Sequence, residues 1–329
     1  MKKTLKIIFL LIFLISLSSY LPISRSQAQI SGEGLTISPP ILELTLKPGE
    51  TSKQVIKITN PTEKIVEVYP IVMNFHAKGE TGEPTFSAVT DEEAKFALAK
   101  WIKSRDTKIA LTPEQVVEFN YQIEAPIGAE PGGHYGVVFF ATEPPQAKED
   151  VSQVSIASMI GSLILVKVPG NIVEKGFLEE FSAKRFYFKP PVDFVTRISN
   201  LGNVHFKPKG EITIKDWLGN KKESLTVNES KGNVLPDSTR KFENKWPAPG
   251  LWTIGKFSAN LKLVYGESEK TLDSKIIFWI VPWWLIIALI VIIILVIIFI
   301  VWLRRRRSRR RENKAKPISG IDQHRPILR

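Results

Sequence analysis

The sequence predicts an all-β fold, two β-sandwiches in tandem, followed by a single transmembrane α-helix. Three observations carry this reading. Between Gln29 and Lys275 apolar and polar residues alternate with a period of two in segment after segment. That is the pattern of strands with one dry and one wet face. The first half of the region is echoed, in order, by the second. Finally, the 28 residues from Ile276 to Leu303 carry no charge. The expected boundaries are 1–28 for an export signal, 29–169 and 170–275 for the two sandwiches, 276–303 for the span and 304–329 for a basic tail.

The N-terminus has the three parts of a secretory signal peptide. Lys2 and Lys3 supply the charge, Leu5 to Leu17 the apolar stretch, and Ser26-Gln27-Ala28 a small-x-small cleavage site before Gln29. The alternative is an uncleaved anchor. Against it, Ser18, Ser19 and Ser24 interrupt the run before it reaches the ~20 apolar residues of a span.

Strands follow. Val117, Phe119, Tyr121 and Ile123 alternate with Glu118, Asn120, Gln122 and Glu124, and Phe257 to Leu263 alternates in the same way. Ile56 and Ile58, Val66 and Val68, and Ile212 and Ile214 repeat the theme. Turn signals fall between them: Lys47-Pro48-Gly49-Glu50, Asn60-Pro61-Thr62 and a hairpin at Gly219-Asn220. One helix is expected to interrupt the strands. Thr90 and Glu93 form a capping box, and Ala94, Ala97, Leu98, Trp101 and Ile102 keep helical spacing, with Trp101 facing the core. The acidic stretch Glu143–Asp150 reads as a loop.

The echo between the halves is specific in order. Asn60-Pro61-Thr62 matches Asn200-Leu201-Gly202, and Leu111, Pro113, Glu114 and Phe119 match Leu235, Pro236, Asp237 and Phe242. Pro131-Gly132 with Tyr135 matches Pro249-Gly250 with Trp252.

The span is defined by chemistry at its ends. Trp283–Leu303 is nearly pure Ile, Leu and Val and rises about 32 Å at ~1.5 Å per residue, enough for a ~30 Å hydrocarbon layer. Trp279, Trp283 and Trp284 mark one interface and Trp302 the other. Arg304, Arg305, Arg306 and Arg307 follow at once as a stop-transfer signal. Positive charge stays on the cytoplasmic side, so the sandwiches are expected outside.

This placement also explains the net charge of +12. Residues 1–28 contribute +4 and residues 304–329 contribute +9, leaving the body at −1. A neutral body excludes a polyanion-binding domain, and no nucleic-acid partner is expected. The Arg-rich tail offers anionic-lipid contact or RNA binding as alternatives to a purely topogenic role.

Zero Cys removes disulfides, thiolate metal sites and cysteine nucleophiles. No phosphate-binding loop, dinucleotide glycine motif, nucleophile elbow or zinc-protease helix is present. His76, His134 and His205 have no second ligand at metal spacing, and His324 sits in the tail. No catalytic, cofactor-binding or metal-binding residues are therefore expected. Leu235-Pro236-Asp237-Ser238-Thr239 only superficially resembles a sortase signal, and Asn228-Glu229-Ser230 fits a glycosylation sequon. Of the four Trp outside the membrane ends, Trp217 beside the hairpin turn and Trp246 before Pro247 are the candidates for ligand contact, by stacking on sugars. The competing reading for both is core packing.

The motifs also carry a family resemblance. Ile37-Ser38-Pro39-Pro40, Leu46 to Glu50 and Ile58-Thr59-Asn60 resemble the opening of the WxL-interacting proteins of Gram-positive bacteria. Ala125-Pro126 and Pro131-Gly132-Gly133-His134-Tyr135-Gly136 are similar to a glycine-tyrosine strand of that family's first domain. Ser199 to His205, Asn233 to Arg240 and Phe278 to Trp283 complete the order. The resemblance implies two immunoglobulin-like domains on a membrane anchor, the first binding peptidoglycan and the second binding surface WxL proteins or a host ligand. It implies no particular ligand residues. The opening and its Pro48-Gly49-Glu50 turn are also similar to pilus chaperones, which are soluble.

The expected function is a non-catalytic, membrane-anchored cell-surface protein that binds the cell wall and scaffolds surface proteins, with no cofactor. The alternative is a protein-interaction or adhesion module that pairs by strand edges with a secreted or host partner.

Overall fold

The computed structural model describes residues 34–87, 96–144, 159–248, 250 and 253–314. The export signal, the capping box of the expected helix, most of the acidic loop, Trp252 and the tail beyond residue 314 lie outside the described residues.

In the first sandwich the chain enters as two short strands that belong to different sheets. β1 (Thr36–Ser38) pairs antiparallel with β3 (Thr51–Thr59), while β2 (Ile41–Thr45) pairs parallel with β10 (Met159–Val168). One sheet runs β1-β3-β8-β6, with β6 spanning Ile102–Ser104 and β8 Val116–Glu124. The other runs β2-β10-β9-β4-β5, with β4 at Val66–Lys78, β5 at Glu83–Ser87 and β9 at Gly132–Ala141. A short β7 (Ile109–Leu111) adds to β4. Ile56, Phe119, Phe140 and Ile164 close the core between the sheets.

The second sandwich repeats this plan. β11 (Gly176–Ser182) pairs antiparallel with β13 (Val192–Asn200), and β12 (Phe186–Tyr187) pairs parallel with β18 (Lys270–Ile280). Its sheets run β11-β13-β16 and β12-β18-β17-β14-β15, with β14 at Lys209–Asp216, β15 at Lys221–Val227, β16 at Ser238–Trp246 and β17 at Gly255–Tyr265. Phe194, Trp246, Phe257 and Phe278 pack its core. Both sandwiches are immunoglobulin-like: the first two strands of each enter different sheets, the second of them pairing parallel with the last strand.

The echo in the sequence has a physical basis. Asn60 and Asn200 are both fully buried at the end of the third strand of their sandwiches, β3 and β13. The Asn60 amide donates to the carbonyls of Lys64 (2.8 Å) and Leu111 (3.0 Å), and Asn200 donates to those of Val204 (2.8 Å) and Val234 (2.9 Å). Each side-chain oxygen accepts the backbone N–H two residues on. Glu114 and Asp237 hold matching positive φ angles of 55° and 54°. Leu111 therefore corresponds to Val234, one residue before the Leu235 that sequence matching selects. Strand register corrects an alignment that local identity had slipped.

The helix expected over Ala94–Ile102 is not formed in its described part. Ala99–Trp101 makes a single 3₁₀ turn that runs directly into β6. The reason is tertiary. Asn74 Oδ1 accepts the N–H groups of Leu98 (3.0 Å) and Ala99 (2.8 Å), and Tyr135 N–H donates to Phe96 O (2.8 Å). The backbone groups a helix would use are already committed. Trp101 is half-buried and packs against His134, ring centres 4.3 Å apart.

The expected span also begins too early. Ile276–Ile280 completes β18, with Phe278 and Ile280 fully buried in the second core. Ile276, Phe278 and Ile280 lack charge because they face the second core, a cause that composition cannot separate from membrane insertion, while Ile277 and Trp279 alternate to the outer face. One helix, α1 (Trp283–Lys314), follows, and its segment Trp283–Arg306 is long and apolar enough to cross a membrane.

The two sandwiches are joined by specific contacts. Asn203 O accepts Gly133 N–H at 2.7 Å, an approach open because the preceding Gly132 has no side chain. Arg197 forks onto Glu80 (Nε to Oε2 2.7 Å), Lys207 meets Glu43 at 2.7 Å, and Lys167 meets Glu267 at 2.6 Å. Between these pairs, Tyr135 Oη accepts His205 N–H (3.0 Å) and lies 3.2 Å from His205 Nδ1. With its lone pair receiving the amide, the hydroxyl donates to Nδ1 of a neutral imidazole. Burial, chiefly, pushes His205 down to about 4, with Lys207 and Lys167 acting in the same direction and Glu43 against it.

Two predictions follow from this architecture. Asn200→Ala strands two buried carbonyls and an N–H, and is expected to cost about 2–4 kcal/mol in denaturant unfolding; a change within error of wild type would show the plug to be dispensable. His205 titrates near 6.5 unfolded and about 4 folded, so the unfolded chain binds more protons between those values. Stability should fall as pH drops from 7 to 5, by about 2 kcal/mol from this residue. His205→Gln should flatten that slope by this amount in thermal melts, and an unchanged slope would exclude His205 as its source.

Candidate functional site

β9 organises the site. All ten of its residues are buried, so its sheet is covered on both faces. Tyr135, Val137 and Phe139 point away from the first core and join Phe75 and Leu165 in an outer apolar cluster. Leu235 of the second sandwich packs on part of that cluster. Where the cover is incomplete, a cavity of about 560 Å³ remains between the two sandwiches.

Its walls come from both. Ile41, Phe75, Leu163 and Leu165 line the first side, and Leu235 with the 230–233 loop lines the second. Glu83, Lys231, Ser238 and Thr239 add polar groups to the lining, and Glu43, Lys207, Asn233 and Arg240 are held in place by hydrogen bonds. Glu43 accepts from Lys207 Nζ and Asn233 Nδ2, each at 2.7 Å. Burial opposes ionisation of Glu43, but these two donors outweigh it and keep its carboxyl below the usual range. The Asn233 Oδ1 acceptor is buried and has no hydrogen-bond partner among the described residues.

Arg240 is the distinctive group. Its guanidinium donates from Nη1 to Asn233 O (2.7 Å) and lies 5.7 Å from the Phe242 ring centre. It is closely flanked by Gly82 and Gly232, where any Cβ would overlap it. Among the described residues no carboxylate pairs with it, and burial lowers its pKa. A half-buried guanidinium with unused donors, beside an apolar wall, is suited to an anionic group attached to an apolar body.

The residues singled out in the sequence lie elsewhere. Trp246 is 1% exposed and packs its ring on Phe257 and Phe278. It is a core residue and not a ligand contact, because strand alternation from Phe242 turns it inward. Trp217 is 70% exposed at the tip of the β14–β15 hairpin, at the opposite end of the second sandwich from the cavity. Trp279 lies on the outer face of β18, outside the helix. Trp283 opens α1 and Trp302 stands about 28 Å further along its axis at ~1.5 Å per residue, while Trp284 is partly buried. Arg304, Arg305 and Arg306 continue the helix as exposed side chains, Arg306 over the Trp302 ring at 5.2 Å; Arg307 is helical in its backbone. Among the described residues no three His, Asp or Glu side chains converge as a metal site would require.

Sequence reasoning missed the cavity group. Glu43, Lys207, Asn233 and Arg240 come from four separated segments, each an ordinary polar residue where it stands. The one local signal was Gly232, a glycine whose missing side chain makes room for Arg240.

No protein-family model matches the sequence, and no curated protein is significantly similar to it. Solved structures do share similarity. A class 5 fimbriae chaperone is 13% identical with a TM-score of 0.38, over 74% of this chain and 98% of its own. The chaperone–tip adhesion subunit complex of archaic Csu pili from Acinetobacter baumannii gives 12% and 0.35, over 76% and 99%. A PapD-like domain of human CEP192 gives 12% and 0.28, over 42% and 86%.

Proposed function

We propose that this chain is a non-catalytic, membrane-anchored cell-surface binding protein. In this reading α1 spans the membrane once, Arg304–Arg307 hold its end in the cytoplasm, and both sandwiches stand outside. The cavity between the sandwiches takes the ligand. The single observation that supports this most is Arg240, a half-buried cation with no carboxylate partner among the described residues, facing an apolar wall. Cell-wall peptidoglycan offers matching chemistry: its stem peptides carry free carboxylates next to small apolar side chains. Bound in this way, the protein would tie membrane to wall and leave its remaining surface for other exported proteins.

A second reading is favoured by one feature. β2 is the terminal strand of its sheet, and Ile41 on it is 50% exposed at the cavity rim. A partner protein could add a strand along β2 and place a side chain in the cavity.

The test uses full-length protein in detergent micelles, sedimented with insoluble peptidoglycan. The wild type is expected to pellet with it. Arg240→Glu should weaken binding roughly 10- to 100-fold, the equivalent of about 1.5–3 kcal/mol for a charged hydrogen bond. Pelleting no greater than an inert protein overturns the wall reading. Amide protection along 41–45 induced by a surface-protein extract would favour the strand-addition reading instead.

A further inference from the structure

The three most exposed large apolar residues of the second sandwich, Trp217, Leu218 and Phe188, share one end, while Val173, Phe177, Leu201 and Val264 are exposed elsewhere, and the register shows which end it is. β18 runs from Lys270 to Ile280 and passes within two residues, Val281 and Pro282, into α1. Gly255 at the start of β17 pairs with Ile280, and Asp216 at the end of β14 pairs with Phe257. The β14–β15 hairpin tip therefore lies at the end from which α1 departs. So does β12, whose Phe186 and Tyr187 pair with Trp279 and Ile280.

That end carries Trp217 at 70% exposure, Leu218 at 64%, Phe188 at 56%, Phe186 at 51% and Trp279 at 39%. They form two groups. Trp217 and Leu218 cap the hairpin on one side of the sheet, and Phe186 and Phe188 flank β12 on the other. Three interstrand steps of ~4.8 Å separate them, about 14 Å. Trp279 and the start of α1 lie between. The junction is also tied down: Val281 N–H donates to Tyr187 O at 2.9 Å, and Leu285 N–H donates to Pro282 O at 3.0 Å. Lys184, Arg185 and Lys189 surround the phenylalanines, and Lys221 and Lys256 lie toward the hairpin.

We infer that this end of the second sandwich is a membrane-seating surface, with Trp217–Leu218 and Phe186–Phe188 inserted into the headgroup layer on either side of the helix. The inference rests on the membrane-anchored reading above. The bilayer is the occupant argued for because the patch is continuous with the span. Trp279 at the end of β18 and Trp283 at the start of α1 stand on either side of the two-residue link, and indole and phenyl rings beside lysine and arginine are the residues that partition into an anionic interface. The role of Trp217 thereby changes from sugar stacking to lipid contact.

The chain contains no cysteine, so single nitroxide labels can be placed without background. Full-length protein carrying Leu218→Cys, Phe188→Cys, Glu229→Cys or Ile293→Cys is reconstituted in vesicles of phosphatidylcholine and phosphatidylglycerol. Accessibility to oxygen and to a water-soluble nickel chelate is then read by spin resonance. Labels at 218 and 188 are expected to show an oxygen-to-nickel ratio several-fold above that at 229, in the direction of 293. If 293 is lipid-exposed while 218 and 188 are as wet as 229, the seating is overturned and the anchor stands. If 293 is itself wet, both fail. Shielding of 218 and 188 from both reagents would mean that protein covers the patch, and would also overturn lipid contact.

Discussion

A sheet that is apolar on both faces cannot end a domain. β9 imposes this condition: its inner residues close the first core, and its outer residues Tyr135, Val137 and Phe139 would meet water if nothing lay on them. Exposing such a surface is costly at ~25 cal/mol per Å². The second sandwich supplies part of the cover through Leu235, and polar contacts then fix its angle. Arg197 with Glu80, Lys207 with Glu43, Lys167 with Glu267 and the Tyr135–His205 contact sit around the apolar patch. Individually, ion pairs at partly exposed positions contribute little. Together they select one orientation out of the many that hydrophobic contact alone would permit. The cavity is what that orientation leaves uncovered, so its shape depends on the joint.

Much of the fold was legible because the determinants are local. Period-two alternation located β8 and β17, and turn chemistry located the Lys47–Glu50 and Gly219–Asn220 reversals. The repeat was legible because a buried Asn must satisfy the same carbonyls in each sandwich, which keeps its neighbours similar. What could not be read depended on partners distant in sequence. Asn74 captures the amides of Leu98 and Ala99 from the facing strand, so helical spacing there yields only a 3₁₀ turn. Phe278 and Ile280 are uncharged for the sake of a core, not a bilayer. Trp246 follows the inward side of β16 although Pro247 next to it suggested a surface turn.

The cavity group shows the same limit more sharply. Arg240 follows Leu235 to Thr239, a stretch that drew attention for its similarity to other sequences and not for its charge. Only the approach of Gly82 from the first sandwich and Gly232 from the second encloses the guanidinium. A site made at an interface of two domains has no linear signature when its residues are scattered, here Glu43 from the first sandwich and Lys207, Asn233 and Arg240 from the second. By contrast, the apolar residues at the other end of the second sandwich were individually visible as Trp217, Trp279 and Trp283. Their common location emerged only when strand register placed the hairpin and β12 beside the exit of α1.

The length of β18 sets a distance. Its eleven residues run from the cavity end of the second sandwich to the start of α1, about 35 Å at ~3.3 Å per residue. If α1 lies in a bilayer as proposed, the link to it of only Val281 and Pro282 would make the second sandwich a stand of fixed height and not a tether. A flexible tether would sweep a volume and meet ligands at many depths. On the proposed anchoring, a stand of this kind would sample a single layer, and what reaches the cavity would be decided by what lies about 35 Å from the start of α1. Changing the height of the stand would change the ligand population met, with every side chain of the cavity left as it is.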